Sequence, residues 1–208
     1  MPRPRAFNED EVIASANQAF SRTGYAGTSI DDLVAATGLG RQSLYNAFGG
    51  KKELFMRVLL SDTADAVAAL EALHHGDSPL VRIRTQLLKV AVTYGSAREQ
   101  PSLFAKAAME LSSSDPDVAA SVLKTFDDMQ GHYQACIRDG QEAGEIQADA
   151  DAEALGAYFV ALIEGMAILG GSGVARTKLT TVGLTALAAI PLTEHGRAAL
   201  EVPAGEWT

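Results

Sequence analysis

Polar side chains between positions 41 and 46 are of the types that read the edges of DNA bases. Arg41 and Gln42 suit bidentate hydrogen bonds to guanine and adenine respectively, each worth about 1–3 kcal/mol of discrimination between bases. Ser43 and Asn46 offer further hydrogen bonds, and the Tyr45 hydroxyl can reach a phosphate while its ring packs. The polar, solvated face of a short helix would have the same composition, so the surrounding elements decide between the two interpretations.

These side chains lie on the second of two short predicted helices, which are joined by a turn containing glycine. Thr28 is predicted to cap the first helix, with Asp31 at its third position as in a capping box. Gly38 suits the left-handed conformation at that helix's end, and Leu44 and Phe48 would face inward on the second helix. This arrangement is typical of a helix-turn-helix, whose second helix lies in the major groove.

The segment closely resembles the N-terminal domain of the tetracycline-repressor (TetR) family of bacterial transcription regulators. The match is strong over residues 7–60, and the rest of the chain resembles the family in its helical layout. The residues that carry the match are Phe20, Gly24, Tyr25, Thr28, Ser29, Ile30, Leu33, Ala36, Gly38, Leu44, Tyr45, Phe48, Lys51 and Leu54. Relatives usually have Ser or Thr at the position of Gly40, where glycine is a tolerable cap that costs only about a few tenths of a kcal/mol.

The resemblance implies a set of DNA contacts in which the second helix reads bases and its flanks hold phosphates. The implied DNA-binding residues are Thr28, Ser29, Arg41, Gln42, Ser43, Tyr45, Asn46 and Lys51. Arg3 and Arg5 lie in a proline-rich arm that resembles arms tracking the minor groove or the backbone, with simple disorder as the alternative.

The net charge of −9 is unevenly distributed along the chain. Residues 1–60 carry seven basic and six acidic side chains, a net charge of +1, and the remainder carries ten and twenty, a net charge of −10. The acidic part should repel DNA, which confines contact to the N-terminal face. An acidic surface that merely keeps the protein soluble explains the −10 equally well.

From residue 80 onward every predicted segment is helical, so the expected fold class is all-α. The N-terminal three-helix domain with its helix-turn-helix is predicted at residues 1–50, and a connecting helix at 51–76. A regulatory domain for ligand binding and dimerisation is predicted at 77–191, and a loosely held tail at 192–208.

The inner stripes of the C-terminal helices carry aromatic and polar side chains that could line a ligand pocket. Such a pocket needs apolar walls with a few placed polar groups. The candidates are Tyr94, Phe104, Met129, His132, Tyr133, Tyr158 and Glu164. For each of them a place in the ordinary core is the alternative, although a buried Glu164 would be costly without a partner.

Small residues recur every fourth position on the helix that follows Asp151, leaving one flat apolar side. A two-fold axis would let this patch cover itself, so a homodimer is predicted. The predicted interface residues are Ala157, Ala161, Leu162, Gly165, Val182 and Ala186. The alternative is that both helices are simply central in the core of a monomer.

The composition argues against several other classes of function. The four histidines and Cys136 have no metal-ligand spacing, Gly170–Gly173 follows no strand and is no dinucleotide site, and no cofactor is expected. The apolar stretch 154–170 contains Glu164 and is predicted to be a buried helix rather than a membrane span. A single cysteine fits a reducing cytosol, and no secretory hydrophobic region is evident near Met1, so a cytoplasmic protein is expected.

The resemblance implies a homodimeric repressor on a palindromic operator in double-stranded DNA. An unidentified small-molecule effector in the C-terminal domain would shift the spacing of the two N-terminal domains and release the DNA. One alternative is a helix-turn-helix regulator without such an effector, controlled by a protein partner. A helical enzyme is the other alternative, but the sequence has no recognisable catalytic set.

Overall fold

A computed structural model describes residues 7–71, 78–96 and 102–201 of the chain. Within these ranges Ile146 and Leu192 form an isolated antiparallel bridge, and no β-sheet is present. The helices are α1 Glu9–Gly27, α2 Ile30–Thr37, α3 Arg41–Phe48, α4 Lys51–Glu71, α5 Pro79–Tyr94, α6 Leu103–Leu111, α7 Pro116–Glu142, α8 Ala152–Gly171, α9 Arg176–Ala186, a 3-10 turn Leu187–Ala189, and α10 Glu194–Glu201. The predicted all-α fold is confirmed. The arm with Arg3 and Arg5 lies outside the described residues.

Helix α1 begins at the N-cap Asn8, whose side-chain oxygen accepts a hydrogen bond from the Asp10 backbone N–H at 3.0 Å. Phe7, just before the cap, packs on the ring of Phe48 with 6.2 Å between ring centroids. The helix is interrupted at Gly24, where φ is 75° and ψ is 179°. That conformation is nearly exclusive to glycine, so this residue sets the corner between α1 and α2.

The capping box at the start of α2 lies one residue later than predicted. Ser29 Oγ accepts a hydrogen bond from the Asp32 backbone N–H at 3.1 Å, and Asp32 Oδ2 accepts one from the Ser29 backbone N–H at 2.8 Å. Thr28 is buried, and its hydroxyl donates to the Gly24 carbonyl oxygen at 2.6 Å. The predicted cap of Thr28 with Asp31 was therefore wrong, because Thr28 closes the end of α1 instead of opening α2.

The chain divides into two compact units, of which the first comprises residues 1–65 and 100–123. Its core combines α1–α4 with α6 and the first turns of α7. The buried apolar residues of this core are Val12, Ala16, Ala19, Phe20, Leu33, Leu44, Phe48, Leu54, Phe55, Val58, Leu59, Leu103, Ala107 and Val118. Residues 103–118 thus complete the core of the N-terminal helices, although the predicted boundaries assigned them to the regulatory region.

The second unit comprises residues 66–99 and 124–208. Helix α5 packs against α8 and α9, and a Cβ at Gly170 would lie only 2.3 Å from the Tyr94 carbonyl oxygen. Cys136 is buried with its Sγ 3.6 Å from the Pro79 carbonyl oxygen, and burial raises the pKa of its thiol to about 11. The thiol is therefore a packing group, since the reactive thiolate is disfavoured.

Helix α10 forms where the sequence predicts only a loose tail. A Cβ at Gly196 would lie 2.0 Å from the Glu145 carbonyl oxygen, and Arg84 Nη1 donates to the Leu200 carbonyl oxygen at 2.8 Å. These contacts come from distant parts of the chain, so local periodicity did not reveal them.

By length and composition, α8 is apolar enough to cross a membrane. A helix from the interior of a soluble protein would pass the same test, so this is weak support for a membrane span. The residues of α8 that the chain itself buries are Gly156, Phe159, Val160, Met166 and Ala167. The predicted buried helix is thus buried along one side only, and its other side exposes Tyr158, Ile168 and Leu169.

Candidate nucleic-acid interface and ligand cavity

Helix α3 buries one side and presents polar groups on the other. Leu44 and Phe48 are buried in the first unit's core, which holds the helix in place. The exposed side chains of α3 include Arg41, Gln42, Ser43, Tyr45 and Asn46. All five side chains predicted to contact bases or phosphates on this helix therefore lie on its accessible face, and their contact with DNA stays a prediction.

Two pairs on this face are hydrogen-bonded to each other. Arg41 Nη2 lies 2.6 Å from Asp31 Oδ1 of α2, in an ion pair whose side chains are 57% and 79% exposed. Gln42 Nε2 donates to Asn46 Oδ1 at 3.0 Å, one turn further along α3. Because exposed pairs of this kind contribute little to stability, they can be exchanged for contacts with DNA at small cost.

The three predicted phosphate contacts outside α3 differ in accessibility. Ser29 is exposed, but its hydroxyl also donates to Asp32 Oδ2 at 2.6 Å, and the bonds from Ser29 hold the pKa of Asp32 below its usual value. Lys51 places its ammonium 4.2 Å from the centroid of the Tyr25 ring, at the start of α4. Thr28 is only 1% exposed, which corrects its assignment to the accessible surface.

A pair of α6 side chains holds the corner between α1 and α2. Glu110 Oε2 accepts a hydrogen bond from the Ala26 backbone N–H at 3.1 Å, and Lys106 Nζ donates to the Arg22 carbonyl oxygen at 3.1 Å. We call Lys106 and Glu110 the α6 clamp. A Cβ at Gly24 would lie 1.9 Å from Glu110 Oε1, so the clamp fits because Gly24 has no side chain.

A second contact within the first unit joins the starts of α4 and α7. Lys52 Nζ lies 2.7 Å from Asp115 Oδ2 and 3.2 Å from Asp117 Oδ2. Hydrogen bonds with both carboxylates raise the pKa of Lys52, and the hydrogen bond from Lys52 lowers the pKa of Asp115. Helix α4, which begins at the predicted DNA-binding residue Lys51, is thereby tied to α7.

The second unit contains a cavity of about 330 Å³ between α5, α7 and α8. Its lining residues are Gln86, Lys89, Val90, Thr93, Tyr94, Met129, Tyr133, Val160, Ile163 and Glu164. Four of the predicted ligand-binding residues belong to this lining: Tyr94, Met129, Tyr133 and Glu164. The residues that sequence reasoning missed lie mostly on α5, where positions 86, 89, 90, 93 and 94 recur with helical spacing and mix polar with apolar types.

The other three predicted ligand-binding residues do not line this cavity. Phe104 belongs to α6 in the first unit. His132 precedes Tyr133 on α7, and the side chains of consecutive residues on a helix point in different directions. Tyr158 is 39% exposed and meets the ring of Phe159 edge-on, with 5.3 Å between centroids.

Tyr133 is the most deeply buried polar side chain in the cavity wall. It is 3% exposed, and its ring stacks on Phe159 with 5.7 Å between centroids. Its hydroxyl is buried and has no hydrogen-bond partner in the part of the chain that the structure describes. Burial, followed by the nearby Cys136 and Glu164, raises the pKa of this hydroxyl, so it stays protonated and can act as a donor.

The residues predicted to form a dimer interface divide between exposed and buried positions. Ala161 is exposed, and Ala157, Leu162, Gly165 and Val182 are partly exposed. Ala186, by contrast, is only 3% exposed, which corrects its assignment to the accessible surface of the chain. Helix α9 directs Ala186 inward together with Leu179 and Gly183, and it exposes Leu184 instead.

Sequence comparisons match both parts of the chain to one family. The model described as "Bacterial regulatory proteins, tetR family" matches residues 12–58, and the model "Tetracyclin repressor-like, C-terminal domain" matches residues 80–170. The HTH-type transcriptional repressor ComR of Escherichia coli K12 is 30% identical over 189 residues, covering 89% of this chain and 90% of that protein. The HTH-type transcriptional repressor DhaR of Mycobacterium sp. strain GP1 is 26% identical over 156 residues, covering 74% and 77%.

Solved structures agree with this assignment. A cysteine mutant of the TetR family transcriptional regulator CifR, complexed with 26-bp double-strand operator DNA, has a TM-score of 0.82 at 26% identity and covers 91% of this chain and 100% of that one. The reduced form of NemR from E. coli has a TM-score of 0.79 at 15% identity, covering 89% and 97%, and supports the fold alone. The matched relatives are transcription regulators and not enzymes. Together with the exposed polar face of α3, these matches establish that the chain belongs to the TetR family and is a DNA-binding transcriptional regulator.

Proposed function

We propose that this protein is a homodimeric cytoplasmic repressor that leaves a palindromic operator when a small molecule binds between α5, α7 and α8. The observation that carries the proposal is the cavity of about 330 Å³, whose lining includes Tyr133 and Glu164. Its apolar walls with a few polar groups are typical of sites for small organic ligands. Repression is supported by the relatives ComR and DhaR, both of which are named repressors.

DNA would be bound by the exposed face of α3 in the major groove. Arg41 and Gln42 would read bases, Ser43 and Asn46 would add hydrogen bonds, and Tyr45 would reach a phosphate. Ser29 and Lys51, at the starts of α2 and α4, would hold the backbone on either side. The exposure of these side chains and the operator complex of CifR support this arrangement.

A second copy of the chain would cover the apolar side of α8. Tyr158, Ile168 and Leu169 are between 39% and 45% exposed, and Leu184 of α9 is 44% exposed. Burying such side chains removes apolar surface from water, which is the main favourable term in most protein association. A two-fold dimer would also place two copies of α3 for the two halves of a palindrome.

Release by a ligand requires only that the ligand bind more tightly to the state that cannot hold DNA, and DNA must then weaken ligand binding by the same factor. Helix α7 supports a physical route for this coupling. The same helix contributes Val118 to the core of the first unit and Met129 and Tyr133 to the cavity. A shift of α7 on ligand binding would therefore act on the core that holds the helix-turn-helix.

The proposal is tested by fluorescence anisotropy with labelled DNA from upstream of the protein's own gene. We expect saturable binding, abolished in the Arg41→Ala/Gln42→Ala double variant, and release on adding a protein-free extract of host cells. Val160→Trp, which fills the cavity, should bind the same DNA and resist release. If the parent and Val160→Trp both leave the DNA only when the extract still contains its proteins, the result would favour the alternative, a regulator controlled by a protein partner. The exposed side chains of Met109 and Leu123 offer such a partner an apolar contact.

A further inference from the structure

The aromatic ring of Tyr25 contacts the ammonium of Lys51, one of the proposed phosphate contacts. Lys51 Nζ lies 4.2 Å from the centroid of the ring, within the first unit. We propose that Tyr25 is a positioning residue for DNA binding, whose ring holds the Lys51 ammonium in place for a DNA phosphate. This inference rests on the proposed function, in which Lys51 binds the DNA backbone.

The Tyr25 ring is fixed by the core of the first unit. It stacks on the Phe20 ring with 6.4 Å between centroids, and it meets the Phe55 ring edge-on with 5.1 Å between centroids. Phe20 and Phe55 are both fully buried in that core. The Tyr25 ring is therefore a rigid platform, and Lys51 is the flexible member of the pair.

An aromatic ring holds a cation without neutralising it. The ring face attracts the positive charge, so the N–H groups that point away from the ring stay free to donate to a phosphate. Within the described residues, no carboxylate forms an ion pair with Lys51, whereas the neighbouring Lys52 is bound by Asp115 and Asp117. Of these two consecutive lysines, Lys51 is thus the one whose charge is available to DNA.

The Lys51 ammonium also lies near Ser29, the proposed phosphate contact at the start of α2. Hydrogen bonds from Ser29 lower the pKa of Asp32 most, and the nearby charges of Arg22 and Lys51 lower it further. Asp32 Oδ2 accepts hydrogen bonds from both the backbone N–H and the hydroxyl of Ser29. The carboxylate closest to this group is therefore engaged by the cap of α2, and the ring is what holds Lys51.

Holding the lysine before DNA arrives should strengthen binding. A lysine on an open surface samples many rotamers and loses this freedom when it binds a phosphate. The ring restricts these rotamers in the free protein, so less entropy remains to be lost on binding. Because exposed contacts between a cation and a ring are modest, we expect loss of the ring to weaken DNA binding by about two- to fivefold.

The test is a double-mutant cycle, measured by anisotropy with the labelled upstream DNA. Tyr25→Leu should weaken the parent by about two- to fivefold and leave the binding of Lys51→Ala nearly unchanged, because the ring then has no ammonium to hold. A merely structural role of Tyr25 would weaken both proteins alike. Lys52→Ala is the matched control, since Tyr25→Leu should cost as much in that background as in the parent.

The salt dependence gives a second measure of positioning. Lys51→Ala should lower the magnitude of the salt slope by about one, because a charge that neutralises a phosphate is removed. Tyr25→Leu keeps the lysine, so its salt slope should stay closer to that of the parent than to that of Lys51→Ala.

Two replacements at position 25 keep the ring and therefore its packing, which keeps the test decisive if Tyr25→Leu does not fold. Tyr25→Phe removes only the hydroxyl and should bind DNA as the parent does. Phenylalanine with three fluorine atoms on its ring has nearly the same shape but a weaker negative face. Introduced at position 25, it should weaken DNA binding relative to Tyr25→Phe, and only when Lys51 is present.

The proposal is overturned if Tyr25→Leu costs as much in Lys51→Ala as in the parent, or if the fluorinated ring binds DNA as Tyr25→Phe does. It is also overturned if Tyr25→Phe is as weak as Tyr25→Leu, which would assign the effect to the hydroxyl. Tighter DNA binding by Tyr25→Leu would show that the ring competes with the phosphate for the ammonium, and this would refute the positioning role as well.

A failure of the proposed function would give a different result. Lys51→Ala would then bind DNA with the affinity and the salt slope of the parent, so Lys51 itself would not be a phosphate contact. If Lys51→Ala weakens binding and Tyr25→Leu does not, the phosphate contact stands and the positioning role of Tyr25 alone is refuted.

Discussion

Arg41 of α3 and Asp31 of α2 form an ion pair with 2.6 Å between Nη2 and Oδ1, on the exposed side of the helix-turn-helix. In the proposed complex the carboxylate would compete with DNA for Arg41, and it would add a negative charge to the surface that faces the phosphates. We expect Asp31→Asn to tighten binding to operator DNA several-fold at low salt, and to scrambled DNA by a smaller factor, because the released Arg41 finds its guanine only in the operator. Anisotropy titrations with both DNAs measure this. In an Arg41→Ala background the gain should shrink, and an undiminished gain would mean that Asp31 acts only through long-range repulsion.

Replacing Lys51 and replacing Arg41 should impair DNA binding in different ways. Lys51→Ala should weaken operator and scrambled DNA alike and reduce the magnitude of the salt slope by about one for each phosphate that the lysine had neutralised. Arg41→Ala should relax the base preference at one position in each half-site, at a cost of about 1–3 kcal/mol. Titrations against single-base operator variants at several salt concentrations separate the two. Equal ranking of all variants by Arg41→Ala and by the parent would contradict the assignment of Arg41.

The positive φ of Gly24 requires glycine, and the α6 clamp adds a steric reason at the same position. Glu110→Ala removes the bond to the Ala26 N–H and should cost about 1 kcal/mol of stability. Gly24→Ala should cost more, because it combines backbone strain of order 1–3 kcal/mol with a collision against the Glu110 carboxylate. The two costs should be less than additive in the double variant, where the collision is absent and only the strain and the lost hydrogen bond remain. Urea denaturation measures each value.

Gly38→Ala is the matched control for the comparison of the Glu110 and Gly24 variants. Gly38 also has a positive φ, 69°, but a Cβ there meets nothing within 4 Å. Its replacement should cost about 1–2 kcal/mol from the left-handed conformation alone, and Glu110→Ala should leave that cost unchanged. A coupling between Glu110 and Gly38 as large as that with Gly24 would argue against a local clamp.

Tyr133→Phe should stabilise the ligand-free protein, although it removes a polar group. The hydroxyl is buried without a hydrogen-bond partner in the described structure, so its loss relieves a desolvation penalty. We expect a gain of up to about 1 kcal/mol in the free energy of unfolding. Thermal and urea unfolding measure the change, with Tyr158→Phe near zero as the comparison. A loss of more than about 1 kcal/mol would show that the hydroxyl already forms a net favourable hydrogen bond.

Ala161→Glu tests the dimer. A glutamate on the exposed apolar side of α8 would have to be desolvated in the interface, so the variant should be monomeric and bind operator DNA weakly. Sedimentation at micromolar protein measures the change. Ala143→Glu places the same charge on an exposed residue just after α7 and should remain dimeric. The dimer proposal would be contradicted if the parent protein sedimented as a monomer.

The sequence predicts the helix-turn-helix well because its signals are local. The turn at Gly38 and the inward positions of Leu44 and Phe48 depend on neighbours within a few residues, and the structure has them as expected. The cap of α2 was misassigned because Thr28 and Ser29 each precede an acidic residue at the right spacing. The hydrogen bond of the buried Thr28 hydroxyl to the Gly24 carbonyl oxygen at the end of α1 decides between them, and the spacing of the acidic residues does not reveal it.

The α6 clamp and the cavity could not be predicted from local signals. The stripe of Leu103 and Ala107 shows that α6 buries one face, but not that α1 is its partner. A cavity is the space that side chains leave unfilled, so it depends on the packing of three helices rather than on any one pattern. For this reason the sequence predicts Tyr94 and Phe104 alike as ligand-binding residues, since both are aromatic residues on helices. Tyr94 lines the cavity, whereas Phe104 lies in the other unit.

The place of α6 in the core of the first unit limits how the chain can be recombined. Residues 103–111 fall within the stretch that matches the C-terminal family model, yet Leu103 and Ala107 are packed among the N-terminal helices. A fragment that ends with α4 would lack α6, so the apolar surface of the N-terminal helices that Leu103 and Ala107 cover would be exposed to water. A chimera that exchanges the N-terminal helices α1–α4 between relatives must therefore exchange residues 102–123 as well. The part of the gene that encodes the complete N-terminal unit is thus discontinuous.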